Sequence, residues 1–471
     1  MSAYNRVTPE LIAQLKEIVG AGNVIHDDPE KMEPYSHDEV FEKGYASMPE
    51  VVVKPSQTEE VARIMQLANR EMVPVTPRGA GSGLSGGAVP LFGGIVLALE
   101  RMNRILEIDN ENLMTVVEPG VITNELSKIL RGEGLFYAGY PLSLETCFIG
   151  GNVAENAGGA KAIKYGVTSR YVQGLEVVLP TGEIINLGGK RLKDVTGYDL
   201  IHLLVGSEGT LGIFTRITLG LLPLPPASVS LLVPFKDLET AVKTAPRMMI
   251  ATGITPSAIE LMDSKCVEIS CRLINDTVPY QQEAKSFLLI EVDGTAQQVE
   301  NDYNALADFC LENGALDAYV ANTPSTRERF WNIRKSISDA LKAYYPGNAA
   351  EDIVVPPASI PPLLEEAYGL AAEHGLECLS FGHLGDGNAH IHLLPDDNIP
   401  EKQWQEAVDI ILTKLYRMAR EVGGTISGEH GIGHKRKKYL HLVLDETELA
   451  LMRKIKEAFD PNYILNPGKI M

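Results

Sequence analysis

The chain has 471 residues, of which 45% are hydrophobic and 22% charged, so it is long enough for two or more domains and has the composition of a soluble globular protein. Its 42 basic and 62 acidic residues give a net charge of −20, which argues against nucleic acid or an anionic membrane as a partner. The sequence has no apolar run of about 18 residues and no secretion signal, so we expect a cytoplasmic protein without a membrane span.

The first part of the chain predicts short helices and strands. Thr8-Pro9, followed by an apolar stripe that ends at Gly20, indicates a capped amphipathic helix. Residues 56–59, Ser-Gln-Thr-Glu, form a capping box that predicts a second helix after the strand at 51–54. Further β-rich runs occupy residues 73–76, 95–99 and 115–118. Residues 1–224 are therefore predicted to form one glycine-rich α+β domain.

A glycine-rich loop follows the β-rich run at 73–76. Residues 78–87 contain a Gly-x-Gly-x-x-Gly spacing at Gly81, Gly83 and Gly86. In a Rossmann fold a helix opens at this motif, but here more glycine and proline lead into another strand. Consecutive backbone N–H groups can instead turn inward and hold the pyrophosphate of a dinucleotide. The alternative is a tight turn that binds nothing.

Two further loops, 140–159 and 205–213, are also rich in small residues with amide and hydroxyl groups. The proline-rich stretch 221–226 cannot continue a helix or a central strand, which predicts a domain boundary there. Residues 225–424 are predicted to form a second domain of strands and longer helices. Its last helix, 403–422, carries an apolar stripe that we assign to the core, and a tail of residues 425–471 follows.

Within the second domain, Ser325-Thr326-Arg327-Glu328 predicts the start of a helix. Arg334 and Ser338 are four residues apart and should share one face of it. A guanidinium can bind a carboxylate through two hydrogen bonds, which makes Arg334 a candidate anion site in so acidic a chain. The alternative is an ordinary surface salt bridge.

Five of the ten histidines lie in two short runs, 382–392 and 428–434. The alternation of His390 and His392 with apolar residues predicts a strand with both on one face, and turn formers at 385–388 let His383 approach His390. Two imidazoles and the Glu429 carboxylate would suit zinc, iron or manganese with positions left open. The alternative is a hairpin whose histidines serve only packing and hydrogen bonding.

The ordered set of glycine loops and histidine runs resembles the flavoprotein family of the vanillyl-alcohol oxidase and p-cresol methylhydroxylase type. The closer resemblance is to its FAD-linked D-2-hydroxy acid dehydrogenases, which include D-lactate dehydrogenase, the catalytic subunit of glycolate oxidase and D-2-hydroxyglutarate dehydrogenase. It covers nearly the whole chain. It implies an α+β fold: a two-part FAD-binding domain, an α+β substrate (cap) domain carrying the metal hairpin, and a tail that returns to the flavin domain.

The resemblance implies that FAD contacts the three loops and the closing Asn-Pro-Gly-Lys motif. Because no histidine replaces Ser82 or its neighbours, it also implies that the flavin is non-covalent. The implied cofactor-binding positions are Arg78, Gly79, Ala80, Gly81, Ser82, Gly83, Pro141, Thr146, Gly151, Asn152, Ile213 and Asn466.

The resemblance further implies an oxidation in which the Cα hydride passes to flavin N5. Arg334 would hold the substrate carboxylate, with Ser338 beside it. A divalent metal on His383, His390 and Glu429 would bind the substrate hydroxyl and stabilise the developing negative charge. His430 would be the general base. For His392 three roles stay open: a further ligand, an orienting group, or part of the substrate pocket.

The substrate prediction depends on residues 351–352, Glu-Asp, close to where the hydroxyglutarate enzymes carry a lysine. A negative pair would repel a distal carboxylate, so the sequence favours D-lactate over D-2-hydroxyglutarate, with glycolate as an alternative. Five scattered cysteines without a Cys-x-x-Cys pair predict no internal iron–sulfur cluster. The resemblance therefore implies a partner that accepts electrons, either an electron-transferring flavoprotein, in some relatives with electron bifurcation, or an iron–sulfur subunit.

Two other functions are compatible with parts of the sequence. An alkyl-dihydroxyacetonephosphate synthase-like transferase would share the fold, but the hydroxy acid dehydrogenase motifs are intact. A non-catalytic flavin-binding subunit could keep the glycine loops while losing the metal ligands and Arg334, but these are present.

Overall fold

The computed structural model describes residues 4–396 and 398–471. Up to residue 224 the helices are α1 (Pro9–Val19), α2 (Pro29–Met32), α3 (Thr58–Glu71), α4 (Thr123–Gly132), α5 (Ile149–Glu155), α6 (Ala162–Tyr165) and α7 (Leu200–Leu204). The strands there are β1 (Val24–Ile25), β2 (Val51–Val53), β3 (Val75–Arg78), β4 (Ile95–Ala98), β5 (Ile105–Asp109), β6 (Met114–Val117), β7 (Leu135–Phe136), β8 (Val172–Val178), β9 (Ile184–Gly188), β10 (Ile213–Gly220) and β11 (Leu222–Pro223).

After residue 224 the helices are α8 (Leu238–Thr252), α9 (Ser264–Ile274), α10 (Ala296–Glu312), α11 (Pro324–Lys335), α12 (Ile337–Tyr344), α13 (Ile360–Glu373), α14 (Glu401–Glu421) and α15 (Glu446–Phe459). The strands are β12 (Ala227–Phe235), β13 (Ala258–Asp263), β14 (Ser286–Gly294), β15 (Tyr319–Ala321), β16 (Ala349–Val354), β17 (Glu377–His383) and β18 (Asn388–Leu394). Among the described residues, no helix is both long and apolar enough to cross a membrane.

Two main sheets form the first part of the chain. One has the order β1-β2-β4-β3 with a parallel centre, and the other is the antiparallel sheet β5-β6-β10-β8-β9. The predicted helix α1 is present, and its N-cap Thr8 accepts a hydrogen bond from the backbone N–H of Leu11 (3.2 Å). The second helix, α3, is also present, but the capping-box detail is wrong. Gln57 is its N-cap residue, and Ser56 donates its backbone N–H to Glu60 (2.7 Å).

The second part is built on a seven-stranded antiparallel sheet of order β15-β12-β14-β13-β17-β18-β16. Alternating residues of β14 enter two separate cores, with Leu288 and Ile290 in one and Phe287 and Leu289 in the other. Helices α8, α10, α13 and α14 contribute to the first core, and α9, α11 and α12 to the second. The predicted helix 403–422 corresponds to α14 and serves the first core, as expected.

The tail joins the two parts. Thr425 and Ser427 first form β-bridges to β16 of the seven-stranded sheet. Further on, Leu465 pairs with Val75 of β3, and its side chain enters the core beneath the first sheet. The proline-rich stretch 221–226 separates β10 of one sheet from β12 of the other. The division at residues 224 and 424 and the return of the tail to the flavin domain stay predictions.

A buried ion pair holds the last turn of this tail, and its loss should be costly. Asp460 accepts hydrogen bonds from Lys456 Nζ (2.6 Å) and from the backbone N–H of Leu465 (2.8 Å), and both charged residues are buried. Replacing Asp460 by alanine leaves the Lys456 charge unpaired, so we expect a loss of about 3–5 kcal/mol in urea unfolding. In the matched control Arg453→Ala, which breaks the exposed pair with Glu446 on the same helix, the loss should stay below about 1 kcal/mol. Equal losses in both variants would contradict this role.

Candidate active site

The histidine hairpin folds as its sequence pattern indicates. Strands β17 and β18 pair antiparallel with Phe381 opposite His390, and the turn between them contains Gly387 at φ 87°. The chain therefore doubles back over residues 384–387, and the His383 and His390 rings lie 5.3 Å apart between centroids. His392 lies on the same face of β18, two residues along.

Glu429 of the tail completes a cluster with three imidazoles. Its Oε1 lies 3.2 Å from His383 Nε2, 3.3 Å from His390 Nε2 and 3.6 Å from His430 Nε2. The His430 ring also stacks on His390 at 5.1 Å between centroids. Three imidazole nitrogens that face one carboxylate oxygen form a donor set that suits zinc, iron or manganese. The three predicted ligands therefore lie together, and His430 joins them.

Burial and the neighbouring charges shift the pKa values of the cluster. Burial alone would lower the pKa of His383, but the charges of Glu260 and Glu429 raise it well above the usual value, so a bound cation would have to displace the His383 proton. Burial alone would raise the pKa of Glu429, but the His383 charge outweighs it and holds that pKa well below the usual value. Burial lowers the pKa of His430 to about 4, against the opposing charge of Asp352. A neutral His430 can accept a proton at physiological pH, as the general base predicted from the sequence must.

Glu260, which the sequence analysis missed, connects this cluster to Arg334. It is fully buried on β13, where its Oε1 lies 2.7 Å from His383 Nδ1 and its Oε2 accepts a hydrogen bond from Arg334 Nε (2.7 Å). Although burial opposes ionisation, the charges of His383 and Arg334 lower the pKa of Glu260. A carboxylate on Nδ1 leaves Nε2 of His383 free to ligate.

Arg334 is buried, which excludes the alternative of a surface salt bridge. Its guanidinium lies over the Phe381 ring at 4.8 Å, and within the described part of the chain its Nη2 has no hydrogen-bond partner. An unpartnered buried donor costs free energy, so its survival here indicates a site for an anionic group. Both features fit the predicted carboxylate contact.

The prediction of one continuous helix that carries both Arg334 and Ser338 is wrong. Helix α11 ends at Lys335 and a separate helix, α12, begins at Ile337. The carbonyl of Ile333 accepts a hydrogen bond from the Ser270 hydroxyl (2.5 Å) where α11 ends. The predicted cap at 325–328 is also displaced, since Thr323 is the N-cap residue and the helix begins at Pro324.

The predicted negative pair at 351–352 does not exist as a unit. Adjacent residues of β16 point to opposite faces of the sheet, so the two carboxylates are separated by the strand. Glu351 is neutralised by Arg436 Nε (2.8 Å) and Lys435 Nζ (3.2 Å) on the face of the sheet that α14 covers. Asp352 faces the histidine cluster. The argument from charge repulsion against a distal carboxylate therefore has no structural basis.

His392 lies beside the cluster rather than within it. Its Nδ1 contacts Asn348 Oδ1 (2.7 Å), and its ring stacks on Phe381 at 5.1 Å between centroids. Burial lowers the pKa of His392 well below its usual value, so the ring is neutral. This position fits an orienting group or a pocket wall, the second and third of the predicted roles.

The first glycine loop runs from β3 to β4 without opening a helix, as predicted. Gly81 has φ +77°, and a side chain there would collide with the Arg78 guanidinium. That guanidinium donates to the carbonyls of His37 (2.6 Å) and Pro34 (2.8 Å), so the Arg78 side chain supports the loop from beneath. Gly79 lies next to Gly151 of α5, which brings the first and second loops together.

The other predicted flavin contacts differ in what they expose. Asn152 donates to Thr123 Oγ1 (2.8 Å) and is buried, whereas Thr146 is exposed. Asn466 donates to the carbonyl of Glu208 (2.9 Å), and its Oδ1 has no partner among the residues described. The Ile213 side chain lies in the core beneath the first sheet, so only its backbone is available to a ligand. Pro141, Ala80, Ser82 and Gly83 are partly accessible in their loops.

Comparisons with known proteins agree with this architecture. The chain matches the family of FAD linked oxidases, C-terminal domain, over residues 224–470, and the FAD binding domain family over residues 49–188. It is 40% identical to a D-lactate dehydrogenase of Anaerostipes hadrus, covering 99% of this chain and 98% of that protein. It is 39% identical to glycolate oxidase subunit GlcD of Bacillus subtilis, covering 98% and 97%. A solved structure of p-cresol methylhydroxylase shares the fold at a TM-score of 0.79, with 19% identity and coverage of 98% and 97%.

The shared burial of Glu260 and Arg334 predicts strong energetic coupling between them. In a double-mutant cycle of E260Q and R334M on thermal unfolding, we expect a coupling energy of about 1–3 kcal/mol, because E260Q leaves the buried Arg334 charge unpaired and R334M leaves Glu260 with His383 alone. The control cycle is K265M and E377Q, a half-exposed pair between α9 and β17, where coupling should stay below about 1 kcal/mol. A coupling at Glu260 no larger than in the control would show that the two side chains act independently.

Proposed function

Because the chain belongs to the family of FAD-linked D-2-hydroxy acid dehydrogenases that includes D-lactate dehydrogenase and glycolate oxidase subunit GlcD, we propose that it oxidises D-lactate to the 2-oxo acid with the aid of a divalent metal. It is an FAD-linked oxidoreductase with an FAD-binding domain. The metal, the choice of D-lactate and the electron acceptor belong to the proposal.

The observation that carries the proposal is the convergence of two kinds of site on one face of the sheet. His383, His390 and Glu429 form a cation site, and Arg334 presents an unpartnered guanidinium nitrogen nearby, with Glu260 between them. A 2-hydroxy acid has one hydroxyl and one carboxylate on adjacent carbons. A cation site beside a free guanidinium edge matches that pair of groups.

Each residue has a distinct proposed role. Arg334 binds the substrate carboxylate and sets its orientation. His430, kept neutral by burial, accepts the proton of the 2-hydroxyl. Glu260 keeps both Arg334 and His383 in place. The aromatic wall of Phe381, with His392 stacked on it, excludes water from this side of the site.

The cofactor and the metal supply what the side chains lack. FAD provides the acceptor for two electrons, and a divalent cation provides positive charge that favours proton loss from the hydroxyl. The chain fits both. The loops carrying Gly79 and Gly151 meet at a point where a side chain would occupy the space, and the Nε2 atoms of His383, His390 and His430 all face Glu429 Oε1. We propose that the flavin is non-covalent.

The relative named D-lactate dehydrogenase favours D-lactate, whereas the one named glycolate oxidase favours glycolate as the second candidate. D-2-hydroxyglutarate stays a third, because Glu351 is neutralised and cannot repel its distal carboxylate. The reduced flavin must pass its electrons on. We propose a protein acceptor, either an electron-transferring flavoprotein or an iron–sulfur subunit, which co-purification with a tagged chain would identify.

The first test is anaerobic mixing of the purified, metal-replete protein with D-lactate, L-lactate, glycolate and D-2-hydroxyglutarate. We expect D-lactate to bleach the flavin absorbance fastest, and prior removal of metal by a chelator to abolish the bleaching. Faster bleaching by another of these acids would replace D-lactate as substrate. Full bleaching after verified removal of the metal would contradict the proposed requirement for a divalent metal.

The role of Arg334 can be tested in the same experiment, with a second arginine of the same helix as the control. R334K should weaken substrate binding by about 10- to 100-fold, because a lysine cannot form the paired hydrogen bonds and each charge-assisted bond contributes about 1.5–3 kcal/mol. R329K changes an arginine on the same helix that pairs with Asp276 at the surface, and it should leave bleaching unchanged. Wild-type substrate binding and wild-type bleaching in R334K would contradict the role of Arg334 in holding the substrate carboxylate.

The lowered pKa of His430 predicts an unusual pH profile. The base must be neutral, so activity is lost only as the pH falls through its pKa of about 4. With metal kept saturating, the rate of flavin reduction by D-lactate should stay constant between about pH 8 and pH 5.5, whereas an unperturbed histidine would give an inflection near 6.5. An inflection near 6.5 that disappears in H430N would show that burial does not control this base.

A further inference from the structure

Asp352 makes an unusual number of hydrogen bonds to the tail. Its Oδ2 accepts from the backbone N–H groups of Gly428 (2.9 Å), Glu429 (2.9 Å) and His430 (2.8 Å), and from the hydroxyl of Ser427 (2.9 Å). The carboxylate is fully buried on β16. Three consecutive backbone N–H groups therefore close around one anion, the arrangement known as an anion nest.

Asp352 also lies close enough to the histidine cluster to be mistaken for a ligand. One ligand atom each from Asp352, His390, Glu429 and His430 fall within 4.8 Å of one another. Two observations argue against direct ligation, and both are geometric.

The first observation is that Asp352 Oδ2 already accepts four hydrogen bonds. A carboxylate offers about four lone-pair sites, and this one accepts from the four donors of residues 427–430 and from Asn388 Nδ2 at its Oδ1 (2.6 Å). Binding a cation would require it to release donors, and among the residues described the backbone N–H groups of Glu429 and His430 have no other acceptor.

The second observation is the side of the rings that Asp352 faces. It lies 3.9 Å from His390 Nδ1 and 3.8 Å from His430 Nδ1, whereas Glu429 lies on the Nε2 side of both rings. A cation shared with Glu429 would sit on the Nε2 side. Asp352 is therefore behind the imidazoles.

We propose that Asp352 is a positioning residue whose carboxylate fixes the 427–430 loop, and thereby places Glu429 and His430 against the histidine hairpin. The inference rests on the proposed metal site. The inference adds that one buried negative charge fixes this loop in place before a cation binds. Among the residues described, no other polar side chain of the seven-stranded sheet accepts hydrogen bonds from the backbone of residues 427–430.

The test uses Mn²⁺ as the probe on FAD-loaded protein stripped of metal, with free Mn²⁺ followed by electron paramagnetic resonance. D352N removes the charge while keeping the shape, and outer-shell changes of this kind weaken metal binding by about 10- to 100-fold. We expect that weakening in D352N, together with a lower kcat for D-lactate and a KM within about threefold, because Arg334 is untouched.

The matched control is E351Q. Glu351 is the neighbouring residue on the same strand, is equally buried and loses an ion pair with Arg436, but it faces away from the cluster. It should lower thermal stability while leaving the Mn²⁺ affinity unchanged. Weaker Mn²⁺ binding in both variants would show a general structural effect and overturn the proposal.

A second variant separates positioning from ligation and keeps the proposal testable if D352N does not fold. S427A removes one hydrogen-bond donor from Asp352 without changing any residue of the cluster. If Asp352 is a positioning residue, Mn²⁺ binding should weaken by a few-fold. If Asp352 is itself a ligand, Mn²⁺ binding should not weaken. Wild-type affinity in S427A would overturn the proposal. A wild-type protein that binds no Mn²⁺, zinc or iron would overturn the metal in the proposed function and this inference with it, whereas normal Mn²⁺ binding in D352N would overturn the inference alone.

Discussion

The need to compensate buried negative charge organises this site. Three carboxylates lie on one face of the seven-stranded sheet or against it, and each is stabilised differently. Glu260 is shared by an arginine and an imidazole, Glu429 faces three imidazoles, and Asp352 is enclosed by backbone N–H groups. An isolated carboxylate at these depths would cost several kcal/mol, so each one fixes the position of its partners. Helix α11, the hairpin and the tail are brought together by these contacts.

This arrangement also explains why the two parts of the chain are interdependent. Strands β17 and β18 supply His383 and His390 and helix α11 supplies Arg334, but Glu429 and His430 come from a tail that also reaches β3, where Leu465 is buried. The same tail places Asn466 beside the Gly87 carbonyl (3.1 Å), next to the predicted flavin loop. One segment thus links the histidine cluster to the flavin-binding domain.

Local patterns in the sequence predicted the elements that depend on local physics. Helical stripes gave α1, α3 and α14, and alternation with turn formers gave the β17–β18 hairpin. Ser338 was assigned to the wrong helix because α11 ends at Lys335, close to the Ile333 carbonyl that accepts a hydrogen bond from Ser270, and a local pattern does not reveal so distant a contact. Glu260 was missed because its partners Arg334 and His383 are far from it in the sequence, and only the tertiary structure brings them together. The opposite orientations of Glu351 and Asp352 follow from the strand period alone.

The parallel bridge between Val75 and Leu465 joins positions near opposite ends of the chain. Contacts of such wide sequence separation carry a large loop-closure entropy and form late in folding. During synthesis the hairpin and the glycine loops emerge well before Glu429 and Leu465. The N-terminal domain therefore leaves the ribosome before Leu465 can complete the core beneath the first sheet, next to β3. A nascent chain stalled before residue 425 would therefore lack Glu429 and Leu465 and would expose apolar strand edges that attract chaperones.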